Sequence, residues 1–332
     1  MKILIFFLLL IIYYYPSPEL RMMMFNILTV VWAFSLLIYG IYMYRKYDKE
    51  YDAKIKEEYF QKIPAQRTPV ELSYLLYGKI TPNCVTSTIM NLIRKKILKL
   101  HRNNNDYILS YNDGHSQSLE PSESFLINWL IKTMGHMNKI AVSSIEAKCR
   151  LDSDYFHSLY KEWISNAMVE GLRQSFFEKR ENISQNAYSF ISLALLLIVF
   201  NILIRNHWLL ILVIIVGATI FTIYVYNLNK RTIEANEEYW TWLAFKRYLN
   251  HIKHFDLETD LNYLEDCAIY ANIFKQLDDY QKLLNASFKD NLNEIEDNNL
   301  LSTIVNGDIL VINKAIENCL SRAFIKESIL GR

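Results

Sequence analysis

Two uncharged apolar runs, residues 187–204 and 208–226, are separated only by Arg205-Asn206-His207. A bilayer core takes roughly 20 apolar residues at helical rise. The pair therefore reads as a helical hairpin across a membrane, and no other feature limits the fold as much. Residues 25–44 form a third run without a charge. Mean hydropathy is only +0.03, although 52% of the residues are apolar. The chain is thus a mixture of very apolar segments and ordinary ones. Eight Gly and six Pro in 332 residues leave little room for long linkers or a turn-rich β-architecture.

Residues 3–15 are a fourth, shorter apolar stretch, closed by Pro16-Ser17-Pro18. Its length suits a signal-like segment or an extra membrane helix. Residues 1–24 are set apart on that ground, and a retained membrane span is expected there.

Orientation follows from the cations. Arg45, Lys46, Lys49, Lys54 and Lys56 follow the first long run; Lys179 and Arg180 precede the hairpin; Lys230 and Arg231 follow it. The positive-inside rule places all three flanks in the cytoplasm. The expected layout is a membrane helix at 25–44, a cytoplasmic domain at 45–180, a membrane hairpin at 187–226 and a cytoplasmic tail at 227–332. Residues 45–180 hold 21 basic and 16 acidic residues, and residues 227–332 hold 12 and 17. The tail is therefore acidic relative to the domain, and the two can face each other. No Asp, Glu, Lys or Arg lies inside the three long runs, which argues against an ion or proton pathway. Asn201, Thr219 and Thr222 are left to bond either a neighbouring helix or their own backbone.

Within the domain, Thr68-Pro69-Val70-Glu71 spells a capping box with Pro at the first helical position. Leu72, Leu75 and Leu76 form its apolar face, and Gly78 stops it. Thr81-Pro82 repeats the start signal. Val85, Ile89, Leu92 and Ile93 then follow helical spacing. After Arg94-Lys95-Lys96 the pattern becomes strand-like through Ile97, Leu98 and Leu100, turns at Asn103-Asn104-Asn105, and returns through Tyr107, Ile108 and Leu109. Helix, helix, basic turn and hairpin make a winged-helix-like unit. If such a unit reads DNA, its second helix enters the major groove. The face expected to be exposed carries Asn83, Thr86, Ser87 and Asn91, but no Arg or Gln for bidentate base contacts. Nucleic acid is therefore disfavoured as a partner. Arg94, Lys95, Lys96, Lys99 and Arg102 form the candidate interaction face. A second helical unit follows, with helices expected after Pro121 and after Asp152 or Ser153, a short strand near Ile140, and stops at Gly135 and Gly171.

Past the hairpin, "KRTIEANEEYWTWLAFKRYLNHI" reads as a helix with Trp240, Leu243, Ala244 and Tyr248 on one side. Three stretches carry a family resemblance. They are "YFQKIPAQRTPVELSYLLYGKITPNCVTSTIMNLIRKKILKL", the apolar hairpin itself, and "RTIEANEEYWTWLAFKRYL", followed by Leu261, Tyr263 and Leu264. Together they resemble the C-terminal part of the domain of unknown function 2207 family of predicted bacterial membrane proteins, over about residues 25–274. The resemblance implies a bacterial cytoplasmic-membrane location and carries no catalytic residues. It departs at Lys96, where the family typically has Gly, at Ala235-Asn236 in place of a Gly, and at Glu265-Asp266 in place of Pro-Tyr.

Motif searches exclude the commoner chemistries. No phosphate-cradling Gly-rich loop, H-E-x-x-H or G-x-S-x-G motif is present. His251-x-x-His254, with Asp256 and Glu258 nearby, is too weak a signal to assign a metal. Cys84, Cys149, Cys267 and Cys319 are far apart, form no C-x-x-C pair, and read as buried free thiols in a reducing compartment. The expectation is a mainly α, multi-pass membrane protein with a cytoplasmic winged-helix-like α+β domain. No enzymatic activity, cofactor or metal is assigned. The role expected is an interaction or scaffold module, whose partners are the bilayer and either another protein or its own acidic tail. A tethered nucleic-acid regulator and a small transporter subunit are the alternatives.

Overall fold

The computed structural model describes residues 6, 10–11, 13–14, 16–54, 57–103, 106–112, 118–178, 183–255, 260–288 and 300–330. The expected fourth membrane segment, residues 3–15, lies mostly outside them. In chain order the elements begin with α1 (Pro18–Met43), α2 (Pro69–Tyr77), α3 (Asn83–Arg94), β1 (Leu98–Asn103) and β2 (Asp106–Tyr111). They continue with α4 (Pro121–Ile127), β3 (Lys139–Ala141), α5 (Val142–Leu151), α6 (Ser153–Arg173), α7 (Ile183–Leu203) and α8 (Trp208–Asn227). The last are α9 (Ile233–His251), α10 (Leu261–Ile273), α11 (Leu277–Phe288), α12 (Leu300–Val305) and α13 (Asp308–Leu330). The chain divides into two compact units, one of Met1–Asp52 with Phe177–Thr232, the other of Ala53–Phe176 with Ile233–Arg332.

The first unit is a bundle of α1, α7 and α8. The stretch Pro18–Asp48, which is α1 and its C-terminal turn, and α8 are each long and apolar enough to cross a membrane, while the apolar part of α7, Tyr188–Leu203, is shorter. The first of these starts at Pro18, earlier than the expected residue 25, because Pro18 is well placed for a first helical turn. Phe25 and Trp32 of α1 pack on Ala194, Leu197 and Phe200 of α7 and on Ile214 of α8. Two aromatic layers hold the ends. Phe25 stacks on Phe200 with centroids 5.5 Å apart, and Tyr39 stacks on Phe190 at 4.8 Å. The outward residues are apolar as well, including Leu37, Ile38, Leu195, Val213 and Ile220. Water does not favour that arrangement and hydrocarbon does.

Polar side chains in the bundle split into two kinds. Thr219 and Thr222 donate to the carbonyls of Ile215 and Ala218 one turn back. Asn201 donates to Leu197 O and also accepts from Asn206 Nδ2 at 2.7 Å, which in turn reaches Asn26 Oδ1 at 2.6 Å. The threonines thus take the local option, and the buried asparagine takes both.

The second unit joins α2–α6 and the sheet with α9–α13. Thr68 and Glu71 form the expected reciprocal cap on α2, at 3.2 and 3.1 Å. Gly78 closes α2 in the left-handed region, with φ +65°. Thr81, however, does not cap α3. Its backbone N–H donates to Ser73 Oγ at 3.0 Å, and the two hydroxyls meet at 3.2 Å. The sheet is antiparallel in the order β1-β2-β3, with Leu100 opposite Leu109 and Leu109 opposite Ile140. α4 runs on through a wider turn, Asn128–Thr133. Asp152 caps α6 by accepting from Tyr155 N at 2.9 Å.

α6 carries the buried stripe Phe156, Tyr160, Trp163 and Ala167. Gly171 does not stop this helix, which runs two residues further. A Cβ there would lie 2.7 Å from the Tyr74 ring, so glycine is needed for α6 to close on α2. α10 is buried continuously from Leu264 to Ile273, and Trp242 of α9 meets Tyr270 edge-on at 4.7 Å. All four cysteines are buried and free.

Candidate interaction site

The basic turn follows from how α3 ends. Lys96 sits at φ +60°, which lets Lys96 N reach Ile93 O at 2.9 Å and Ile97 N reach Leu92 O at 3.0 Å. This paired closure normally uses glycine, and a side chain in left-handed backbone costs on the order of 1 kcal/mol. It is the same position where the family resemblance leads one to expect Gly. The Lys96 carbonyl accepts from Asn112 Nδ2 at 3.1 Å, which fixes the entry into β1.

The five cations expected on one face separate into two sets. Arg94 Nη1 meets Asp266 Oδ1 of α10 at 2.5 Å. Lys95 Nζ meets Glu123 Oε1 of α4 at 2.6 Å, where Asn91 Nδ2 also donates at 2.9 Å. Arg94 and Lys95 are thus half-buried and held by internal carboxylates. Lys96 and Arg102 are exposed and Lys99 is half-exposed. Arg102 lies over the ring of Tyr107, its cross-strand neighbour, at 5.9 Å. The outward cations are therefore Lys96, in the turn that follows α3, and Lys99 and Arg102, on β1.

The polar face of α3 is not exposed either. Asn83, Thr86, Ser87 and Asn91 are all buried. Asn272 of α10 donates to Asn83 O at 3.0 Å and to Ser87 Oγ at 2.9 Å, while Asn83 Nδ2 donates back to Asn272 O at 3.3 Å. Ser87 Oγ donates to Ile269 O at 3.3 Å. The expected groove-reading face is therefore an internal seam. Periodicity placed these residues on the polar side of α3 correctly, but it carries no information on a helix some 180 residues later that covers them.

Sequence reasoning missed Glu123, Glu265, Asp266 and Asn272 as organisers of this region. The signals were faint: Glu120-Pro121-Ser122-Glu123 matches a reciprocal cap, which is formed, and Glu265-Asp266 stood out only as a departure from the family pattern. Glu265 accepts from Leu301 N at 3.3 Å at the start of α12. Burial pushes the Glu265 carboxyl above the ordinary carboxylate range, and the Leu301 N–H and Arg94 pull it only partly back. Burial likewise outweighs Arg94 at Asp266 and raises its carboxyl.

A carboxyl whose folded pKa exceeds its unfolded value binds more protons when folded, so stability falls as pH rises between the two values. Chemical denaturation of the full chain is expected to show stability declining from about pH 4.5, the ordinary glutamate value, upward through the raised folded values. Glu265→Gln is expected to flatten part of that slope. A variant profile as steep as the parent's would remove Glu265 as its source.

His251 Nε2 meets Tyr59 OH at 3.0 Å. His254 stands at the end of the described stretch, and Asp256 and Glu258 lie outside the described residues. Among the described residues no group of three metal-ligating side chains occurs.

Two helices long and apolar enough to cross a membrane, in a unit beside a second folded unit, fit a helical membrane protein. The chain belongs to the family described as "Predicted membrane protein (DUF2207) C-terminal domain", which matches residues 56–275, more than half of its length. No curated protein matches it, and no solved structure does.

Proposed function

We propose that this is a multi-pass protein of the cytoplasmic membrane whose second unit is a cytoplasmic, winged-helix-like interaction module without enzymatic activity. The observation that carries the reading is the sorting of the basic cluster. Arg94 and Lys95 lock the domain internally, and the turn after α3 and strand β1 present Lys96, Lys99 and Arg102 outward to an acidic partner. Three features support the membrane part. Residues 45–50 and 230–231 carry the basic flanks. α7 and α8 form a hairpin that returns the chain to the side it left. Ala53–Phe176 and Ile233–Arg332 share one compact unit, which supports placing both on the same side of a bilayer.

The order α2, α3, β1, β2, with β3 beside β2, supports the winged-helix-like description. Burial of α3 weighs against a nucleic-acid regulator. The lack of Asp, Glu, Lys or Arg in residues 25–44, 187–204 and 208–226 weighs against a transporter subunit.

Charge reversal tests the module. Full-length protein with Lys96→Glu, Lys99→Glu and Arg102→Glu is expected to lose its salt-sensitive acidic partner in a cross-linked membrane pull-down, with its melting temperature unchanged. An unchanged partner set would overturn the basic-surface reading. Sequence-specific, salt-resistant binding of duplex DNA would favour the regulator instead.

A further inference from the structure

We propose that the charged end of the three-helix unit holds the phosphate of an anionic phospholipid headgroup, a site that rests on α1, α7 and α8 crossing the bilayer. The chain passes this end three times, after α1, before α7 and after α8, and the crossings are tied together. Glu178 N donates to Lys230 O at 2.9 Å, and Phe177 bridges to Arg231.

Of the carboxylates described at this end, Asp48, Glu50 and Glu178 are held by internal partners, and Asp52 is exposed. Asp48 Oδ2 accepts from Tyr224 OH at 3.2 Å. Glu50 accepts from Arg231 Nη1 at 2.8 Å and from Arg231 N at 3.2 Å. Glu178 accepts from Tyr51 OH. Arg231 is neutralised by Glu50, while Arg45, Lys46 and Lys49 remain exposed, with no ion pair among the described residues.

Lys46 is also positioned. Its Nζ donates to Tyr42 OH at 3.1 Å and lies 4.9 Å over the Tyr47 ring. Lys230 Nζ lies 3.8 Å over the Tyr51 ring and reaches Lys46 O at 3.4 Å. Aromatic rings with one apolar and one wet end mark the headgroup level of a bilayer. Tyr42 and Tyr44 are exposed directly beside these cations, one turn beyond the outward apolar Ile38 and Ile41. The excess positive charge therefore stands at phosphate depth. A dissolved anion has no such reason to sit there, so the ligand is a lipid.

The test uses full-length protein purified in mild detergent, compared with the variant carrying Arg45→Gln, Lys46→Gln and Lys49→Gln. Native mass spectrometry with added phosphatidylglycerol, phosphatidylcholine or inorganic phosphate reads retention. The parent is expected to retain phosphatidylglycerol and neither of the others, and the variant to bind it roughly a hundredfold more weakly, about five-fold per cation. Equal retention of the two lipids, undiminished retention by the variant, or equivalent binding of inorganic phosphate would overturn the site. Extraction of membranes with alkaline carbonate separates this from the spanning reading. Parent and variant are both expected to stay in the membrane pellet, and release of the parent would overturn the spanning reading and the lipid site with it.

Discussion

Ending the chain after Leu228 is expected to leave residues 53–176 unable to fold. α3 is buried from Asn83 to Ile93, and α10, α12 and α13 supply much of its cover. Removing Ile233–Arg332 strips Asn83 and Ser87 of Asn272, strips Arg94 of Asp266, and exposes apolar surface now closed by Leu264, Ile269 and Ile273. Each large apolar side chain returned to water costs about 1.5–3 kcal/mol. A domain has only about 5–15 kcal/mol of net stability, so a handful of such side chains exhausts it. Limited proteolysis checks this. The full chain should resist cleavage within 53–176, the truncated chain should be cut there rapidly, and supplying residues 233–332 as a separate polypeptide should restore protection. Equal protection in the truncated chain would mean that α2–α6 fold alone.

The same dependence explains which parts of the fold could be read in advance. Local signals were reliable where the chain makes its own contacts. The Thr68–Glu71 cap, the left-handed Gly78, the Leu98–Leu109 hairpin region and the apolar hairpin all depend on residues within a few positions of one another. Signals failed where another segment competes, near or far. Thr81 has the chemistry of a helix cap but is taken by Ser73 of the preceding helix. Gly171 looks like a helix stop, yet its missing Cβ admits Tyr74, almost a hundred residues earlier.

The basic face was legible as a composition and not as a surface. Arg94, Lys95, Lys96, Lys99 and Arg102 are alike in sequence. Which of them is internal depends on Glu123 and Asp266, and nothing in the basic turn itself points to either. Asn201 lies between these cases: its residue type allowed both a backbone bond and a helix contact, and the nearby Asn206 let it make both.

Lys95 offers the sharpest separation between an internal and an outward role, because the two partners of its ion pair are buried unequally. The Glu123 side chain is 3% exposed, while that of Lys95 is 24% exposed. Removing the cation by Lys95→Met leaves a desolvated carboxylate with Asn91 Nδ2 and the Glu120 N–H but no countercharge. Breaking a buried pair in this direction costs about 3–5 kcal/mol. Removing the carboxylate charge by Glu123→Gln leaves an ammonium that can swing into water and an amide that can still accept from Asn91. That loss is expected to be about 1.5–3 kcal/mol, the net value of hydrogen bonds to a charged group.

The double variant should be less destabilised than Lys95→Met alone, since the stranded charge is gone. Denaturant melts of the four proteins at neutral pH give the cycle directly. A Lys95→Met variant as stable as its parent would show that Lys95 contributes nothing to the fold, and would return it to the outward face with Lys96, Lys99 and Arg102. The asymmetry between the two single variants is the signature of a cation that serves the domain's interior.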